Sequence, residues 1–197
     1  MRTFERDLLI NSGANPLLLF KTGGALDLQL GTHPQALANR REPVEGDVRL
    51  LVARDPKGQP IARLYAPVAP SAVKAGERGE SFSSPWRTIK FDRVSDVTPH
   101  IQLAQSKSLE TLKAPRGTAT KSMPREFWEA SIPLAALGLK PAPGQPIRAD
   151  LGVLIGSEGE TVQRLYWNNP AGGLVSDVPG EAMLVPSAWG EWRFRKE

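Results

Sequence analysis

No cysteine occurs in this chain of 197 residues, which excludes disulfides, thiolate nucleophiles and cysteine-rich zinc sites together. The compartment stays open on that ground, because a chain of this length can build a core without covalent staples. No apolar run approaches the roughly 20 residues that a membrane-spanning helix needs. The opening stretch, MRTFERDLLINSGANPLLLF, carries Glu5, Arg6 and Asp7 where a signal peptide requires an apolar segment. Two expectations follow: a protein kept inside the cell, or a domain of a longer exported chain.

Catalytic patterns are scarce as well. His33 and His100 fall in polar connections or at a strand edge, with no second ligand at metal-site spacing. There is no Gly-x-Ser-x-Gly elbow; IGSEG instead puts Ser157 in a turn. GTATKS has Thr120 where a phosphate loop requires its second glycine. Asp177 and Glu181 form a carboxylate pair only on paper, since surface acids are common. Asn169, Asp177 and Glu181 offer oxygens for calcium, but without the spacing of a calcium loop, so no cofactor is expected.

Charge is unevenly placed. The formal net charge is +4, and the segment from Ser106 to Arg125 alone carries five basic residues against Glu110. A nucleic-acid binder spreads cations over a face and interleaves aromatics, so this segment reads as a solvated loop and no nucleic-acid partner is expected. Over 105–125 no period holds, and a mobile basic connection is predicted there.

What the chain has in abundance is glycine and proline, 18 of each, punctuating short alternating runs. ALDLQLG sets Leu26, Leu28 and Leu30 on one side and Asp27 and Gln29 on the other, the pattern of a half-buried strand. DVRLLVARD and IARLYAPVA flank DPKGQP, which predicts a hairpin. SAVKAGERGESFSSP reads as loop, WRTIKFDRV, HIQLAQ and FWEASIP as strands. In PLAALGL, Pro133 opens and Gly138 caps a short helix over 133–138. IRADLGVLIGS, TVQRLYWNN and GEWRFRKE complete about nine strands by these pattern criteria. A single all-β domain over 1–197 is predicted, an antiparallel β-sandwich without the long helices of Rossmann or barrel folds.

The order LLFKTGGALDLQLGT, GDVRLLVARD, EASIPLAALGLKPAPGQPIRADLGVLIG and YWNN…GLVSDVPGEAMLVPSAWGEW resembles carbohydrate-binding module family 9 and its DOMON-like, jelly-roll relatives. The likeness spans about Asn11 to Phe194 and is nearest to family-9-like domains of large exported bacterial proteins. It implies a non-catalytic accessory domain, extracellular or periplasmic, that holds a saccharide or polysaccharide end between two tryptophans beside an acid, an arginine and an asparagine. By position, Asp27 takes the acid's place, Arg49 the arginine's, and Trp167 with Asn168 or Asn169 the later tryptophan and amide. Lys21 stands where the earlier tryptophan belongs, with Phe20 beside it as a weaker opposing face. Such domains also carry one or more strands before the point where this chain begins, which leaves three expectations: the strand is absent, Met1 to Ile10 replace it, or another chain supplies it.

The residues themselves allow this chemistry. An indole offers a flat face for sugar C–H groups, while Asn168, Asn169 and Arg49 offer donors and acceptors. They equally allow Arg49 and Asp27 to brace two strands, and Tyr166 and Trp167 to face opposite sides, one toward the core. Trp86, Trp128 and one of Trp189 and Trp192 are expected in the core. The competing function is an interaction domain that packs against a neighbouring module or a second copy of itself.

Overall fold

The computed structural model describes residues 9–33, 36–69, 78–113, 120–140, 142, 144–170 and 177–194. Strands dominate, and every pairing between named strands is antiparallel: the chain is an all-β protein. They are β1 (Ala25–Gly31), β2 (Asp47–Arg54), β3 (Pro60–Ala66), β4 (Arg78–Ser83), β5 (Thr88–Asp96), β6 (Gln102–Lys113), β7 (Thr120–Ser131), β8 (Pro146–Ser157), β9 (Glu160–Tyr166) and β10 (Gly190–Arg193). One eight-stranded sheet runs β10-β8-β1-β2-β3-β5-β4, with β9 also on β8, and β6 and β7 form a separate ribbon.

The long strand β8 organises one end of the sheet. Its residues 148–154 pair with β1, while its other edge takes β10 at 146–149 and β9 at 152–157. Glu158 and Gly159, both at positive φ, make the two-residue turn from β8 into β9, where glycine removes the steric penalty.

Both faces of the central strands are covered. On the first face, Ala25, Leu51, Tyr65 and Leu154 meet Phe20, Leu184 and Trp189 from outside the sheet. Edge-to-face contacts of Phe20 with Phe82 and of Tyr65 with Phe91, at 5.3 and 5.4 Å between centroids, knit this layer. On the second face, Leu30, Leu50, Val52 and Leu64 pack with Ile101 and Leu137, and Leu103 of β6 and Ile132 just after β7 lie against them. Arg54 at the end of β2 stacks over Trp128 of β7 at 4.8 Å. The ribbon thus meets the larger sheet at its end that carries Leu103, Trp128 and Ile132.

Several expectations change. The stretch read as a mobile basic loop is strand over 105–113 and 120–125, with twelve residue pairs in continuous register from Gln102↔Ser131 to Lys113↔Thr120; 114–119 lie outside the described residues. A two-stranded ribbon has no fully buried side to write an alternating pattern, and Leu109 is largely solvent-exposed. The loop read around 71–85 contains β4 at 78–83, while 71–77 are outside the described residues. The helix expected at 133–138 is one 3-10 turn, Leu134–Leu137, with Pro133 at its N-cap and Gly138 in the left-handed conformation capping it. The described α-helix, α1, lies at Val178–Ala182. At the N-terminus, Leu9 to Asn11 latch onto Arg54 of β2 through backbone bonds of 2.8 Å, and 1–8 lie outside the described residues.

Candidate functional site

Asp27 and Arg49 sit on adjacent strands, and the residues of the first face assemble around them. Alternation in β1 puts Asp27 on the same side as Ala25, and alternation in β2 puts Arg49 on the same side as Leu51. Arg49 Nη2 donates to Asp27 Oδ2 at 2.7 Å, and its Nε reaches both carboxylate oxygens at 3.1 and 3.2 Å. Arg49 Nη1 donates to the carbonyls of Glu181 and Ala182 in α1 at 2.8 and 3.1 Å. All but one of its N–H groups are therefore spent inside the protein. The Tyr166 hydroxyl donates to Asp27 Oδ2 at 2.6 Å.

A second ion pair continues the network. Arg164 of β9 donates to Glu181 Oε2 at 2.6 Å and to the Phe20 carbonyl at 2.8 Å, and Lys21 donates to Glu181 Oε1 at 3.3 Å. Phe20 lies under the Arg49 guanidinium at 5.4 Å. Four sequence-predicted residues, Phe20, Lys21, Asp27 and Arg49, are thus brought together. Arg164, Tyr166 and Glu181 complete the cluster; the signal that could have found them is the alternation of TVQRLYW, which sends Arg164 and Tyr166 to one side.

The cluster is closed, however. Relative exposure is 0% for Asp27, 1% for Arg49 and 0% for Phe20, and α1 with its flanking residues supplies the roof. Phe20 is a core side chain, not the wall of a sugar site, and the polar side of β1 is buried, not solvated. Lys21, about a third exposed, is tied to Glu181. The arrangement ties β9 and α1 to the first face of the sheet. Carboxylates considered for calcium are committed too: Glu181 to Arg164 and Lys21, Asp177 to the α1 N-terminus, Ser84 and Arg87.

Burial shapes the ionisation here. It works to lower the Arg49 pKa, but Asp27 and Tyr166 outweigh it and leave the guanidinium above the ordinary arginine range. Burial and the neighbouring Arg49 push Arg164 down. Burial, then the charge of Asp27, push the Tyr166 phenol well up.

Close approach makes the Tyr166 contact attainable. Gly152 of β8 lies opposite Tyr166, and a Cβ there would fall 2.5 Å from the ring's Cε1. Gly152→Ala must displace the ring from Asp27, and a cost of about 1–3 kcal/mol in urea unfolding is expected.

Trp167 behaves differently. Tyr166 points to Asp27, so the next side chain turns to the opposite side, and the indole is 83% exposed. Its backbone N–H bonds the Leu151 carbonyl at 2.9 Å, extending the β8–β9 ladder. Asp150, fully buried, then accepts the N–H groups of Asn168 and Asn169, one on each oxygen, at 2.9 Å. Asn168 packs so tightly on Gly190 that a Cβ there would lie 2.6 Å from its Cγ. Trp167, Asn168 and Asn169 therefore form a fixed corner that fills the gap between β9 and β10. Leu165 and Leu151, about half-exposed, share the indole's side of the sheet.

The remaining tryptophans divide. Trp189 is core, its Nε1 donating to Gln29 at 2.9 Å, while Trp128 and Trp192 are half-buried. Trp86, expected in the core, is 82% exposed at the β4–β5 turn. Fold and surfaces together define an antiparallel all-β domain with a closed ionic clamp and two outward-facing indoles. Comparison with family models, curated proteins and solved structures finds no match for this chain.

Proposed function

We propose that this is a non-catalytic binding domain, an accessory part of a larger exported bacterial protein, that holds a saccharide on the corner built by Trp167, Asn168 and Asn169. The observation that carries the reading is an indole left 83% exposed on backbone that Asp150 pins in place. A large apolar side chain held out in water gains nothing for folding, yet on pinned backbone it offers a flat surface to the C–H side of a sugar ring. The two amides stand beside it as donors and acceptors for hydroxyls. Asp27 and Arg49 act from behind by holding β9 and α1 to the sheet.

A single open surface binds weakly, with Kd on the order of 1 mM, and gains strength through linkage to other modules. Isothermal titration with glucose, cellobiose and xylobiose is the test. At least one should bind, and Trp167→Ala should weaken it about tenfold, close to 1.4 kcal/mol. No heat with any of the three, or an unchanged affinity in Trp167→Ala, rejects the saccharide reading.

A second reading has its own observation: Leu151, Leu165 and Trp167 form a contiguous apolar strip, the kind of surface that docks protein. Light scattering after size exclusion separates the two. A stable dimer that Trp167→Ala converts to monomer would identify this strip as a protein interface.

A further inference from the structure

The exposed indole of Trp86 borders a groove of about 620 Å³, within the range of ligand sites. We propose that this groove is a second binding site, independent of the Trp167 corner, whose ligand is an acidic oligosaccharide bearing uronate carboxylates.

Presentation of Trp86 is rigid. Ser84, Pro85, Trp86 and Arg87 close the β4–β5 hairpin, with the Ser84 N–H bonding the Arg87 carbonyl at 2.9 Å. Ser84 Oγ accepts the Trp86 N–H at 3.3 Å and donates to Asp177 Oδ2 at 2.9 Å. Asp177 in turn caps α1 through Gly180, so the turn is tied to the roof of the ionic clamp. A turn backbone held this way lowers the cost of presenting the indole for stacking.

The lining is suited to a sugar. Phe91 and Leu184, both buried, make an apolar floor, and Met183 adds a partly exposed apolar side. Arg41, Arg87, Lys90 and Glu42 are the charged residues of the lining. Arg41 and Lys90 make no ion pair among the described residues, whereas Arg87 makes a long contact of 3.5 Å with Asp177. Three cationic residues against Glu42, with Asp177 behind Arg87, leave a positive surplus that a carboxylate would meet, and a guanidinium binds a carboxylate in a two-point fork. Glu42 can accept from hydroxyls, and a single indole falls short of the repeated stacking that single-stranded nucleic acid uses. Hydroxyls, a flat C–H face and carboxylates together describe a uronate chain.

Trigalacturonate and cellotriose, neutral and of equal length, are the probes, titrated calorimetrically into the whole chain and its variants. Trigalacturonate should bind, with cellotriose at least tenfold weaker in this groove. Trp86→Ala should weaken trigalacturonate at least tenfold, Arg41→Ala should weaken it and flatten its salt dependence, and Trp86→Phe should recover part of the loss. Trp167→Ala should leave trigalacturonate unchanged, which separates this site from the other whichever of the two fails. Trp86 is exposed, so the variants should keep the wild-type far-ultraviolet circular dichroism and urea midpoint. Equal binding by wild type and Trp86→Ala would reduce the effect to ionic adsorption and overturn the proposal. So would no binding at millimolar concentration, equal affinity for cellotriose in the Trp167→Ala background, or tighter retention of an oligothymidylate.

Discussion

Asp27→Ala should lose about 3–5 kcal/mol of folding stability, the cost of stranding a buried cation. Arg49 would keep its two carbonyl acceptors in α1 but would have no counter-charge at 1% exposure, and Tyr166 would lose its acceptor at the same stroke. Domains of this kind hold a net stability of roughly 5–15 kcal/mol, so one substitution removes at least about a fifth of that reserve. Guanidinium unfolding of the single variants and of the pair Asp27→Leu with Arg49→Met gives the decisive comparison. The double variant should recover much of the loss, because two apolar side chains of similar volume carry no desolvation cost. A loss under about 1 kcal/mol in Asp27→Ala would mean that water reaches Arg49, and the closed-clamp description would fail.

The second large effect is alkaline. Both tyrosines of the chain, Tyr65 and Tyr166, are held well above the ordinary phenol range, each chiefly by burial. Asp27 adds to this for Tyr166, while the Arg49 charge opposes it for both. The Tyr65 hydroxyl donates to the Leu17 carbonyl at 3.0 Å, as Tyr166 does to Asp27. A raised phenol pKa means that the native state keeps a proton which the unfolded chain releases above about pH 10. The stabilising effect is therefore fully present below pH 10 and is lost as pH rises. Stability should fall by about 1.4 kcal/mol per pH unit for each tyrosine, roughly twice that for both. Absorbance at 295 nm, followed alongside far-ultraviolet circular dichroism, should show no phenolate while the strand signal persists, then both tyrosines titrating together as the fold collapses. One tyrosine ionising near pH 10 with the fold intact would place its ring in water.

Much of the architecture was legible in the chain. ALDLQLG, DVRLLVARD and IARLYAPVA became three neighbouring strands with the predicted turn between the last two, because hydrophobic alternation and Pro-Lys-Gly chemistry are local properties. Most of β6 and β7 was not legible as strand, since their Ser, Thr and Lys residues write no alternating apolar pattern in the sequence. In the candidate site, the likeness in motif order picked out Phe20, Lys21, Asp27 and Arg49, and these do converge. Their role as an enclosed clamp was not legible, because a polar side chain on an alternating strand looks the same whether water or another segment lies above it. Trp86 was misplaced for a related reason: Pro85-Trp86 at a strand start resembles an entry into the core, yet the hairpin turn carries the indole outward.

By itself, then, the sequence determined the strands that alternate apolar and polar residues, the hairpin turn between β2 and β3 and the lack of thiols, since each depends on residues a few places apart or on composition. Only the tertiary structure decided which charged residues are sealed and which indoles face solvent. The Glu181 and Ala182 carbonyls reach Arg49 from more than a hundred residues away, and whether a side chain meets water is settled by the segment that folds over it.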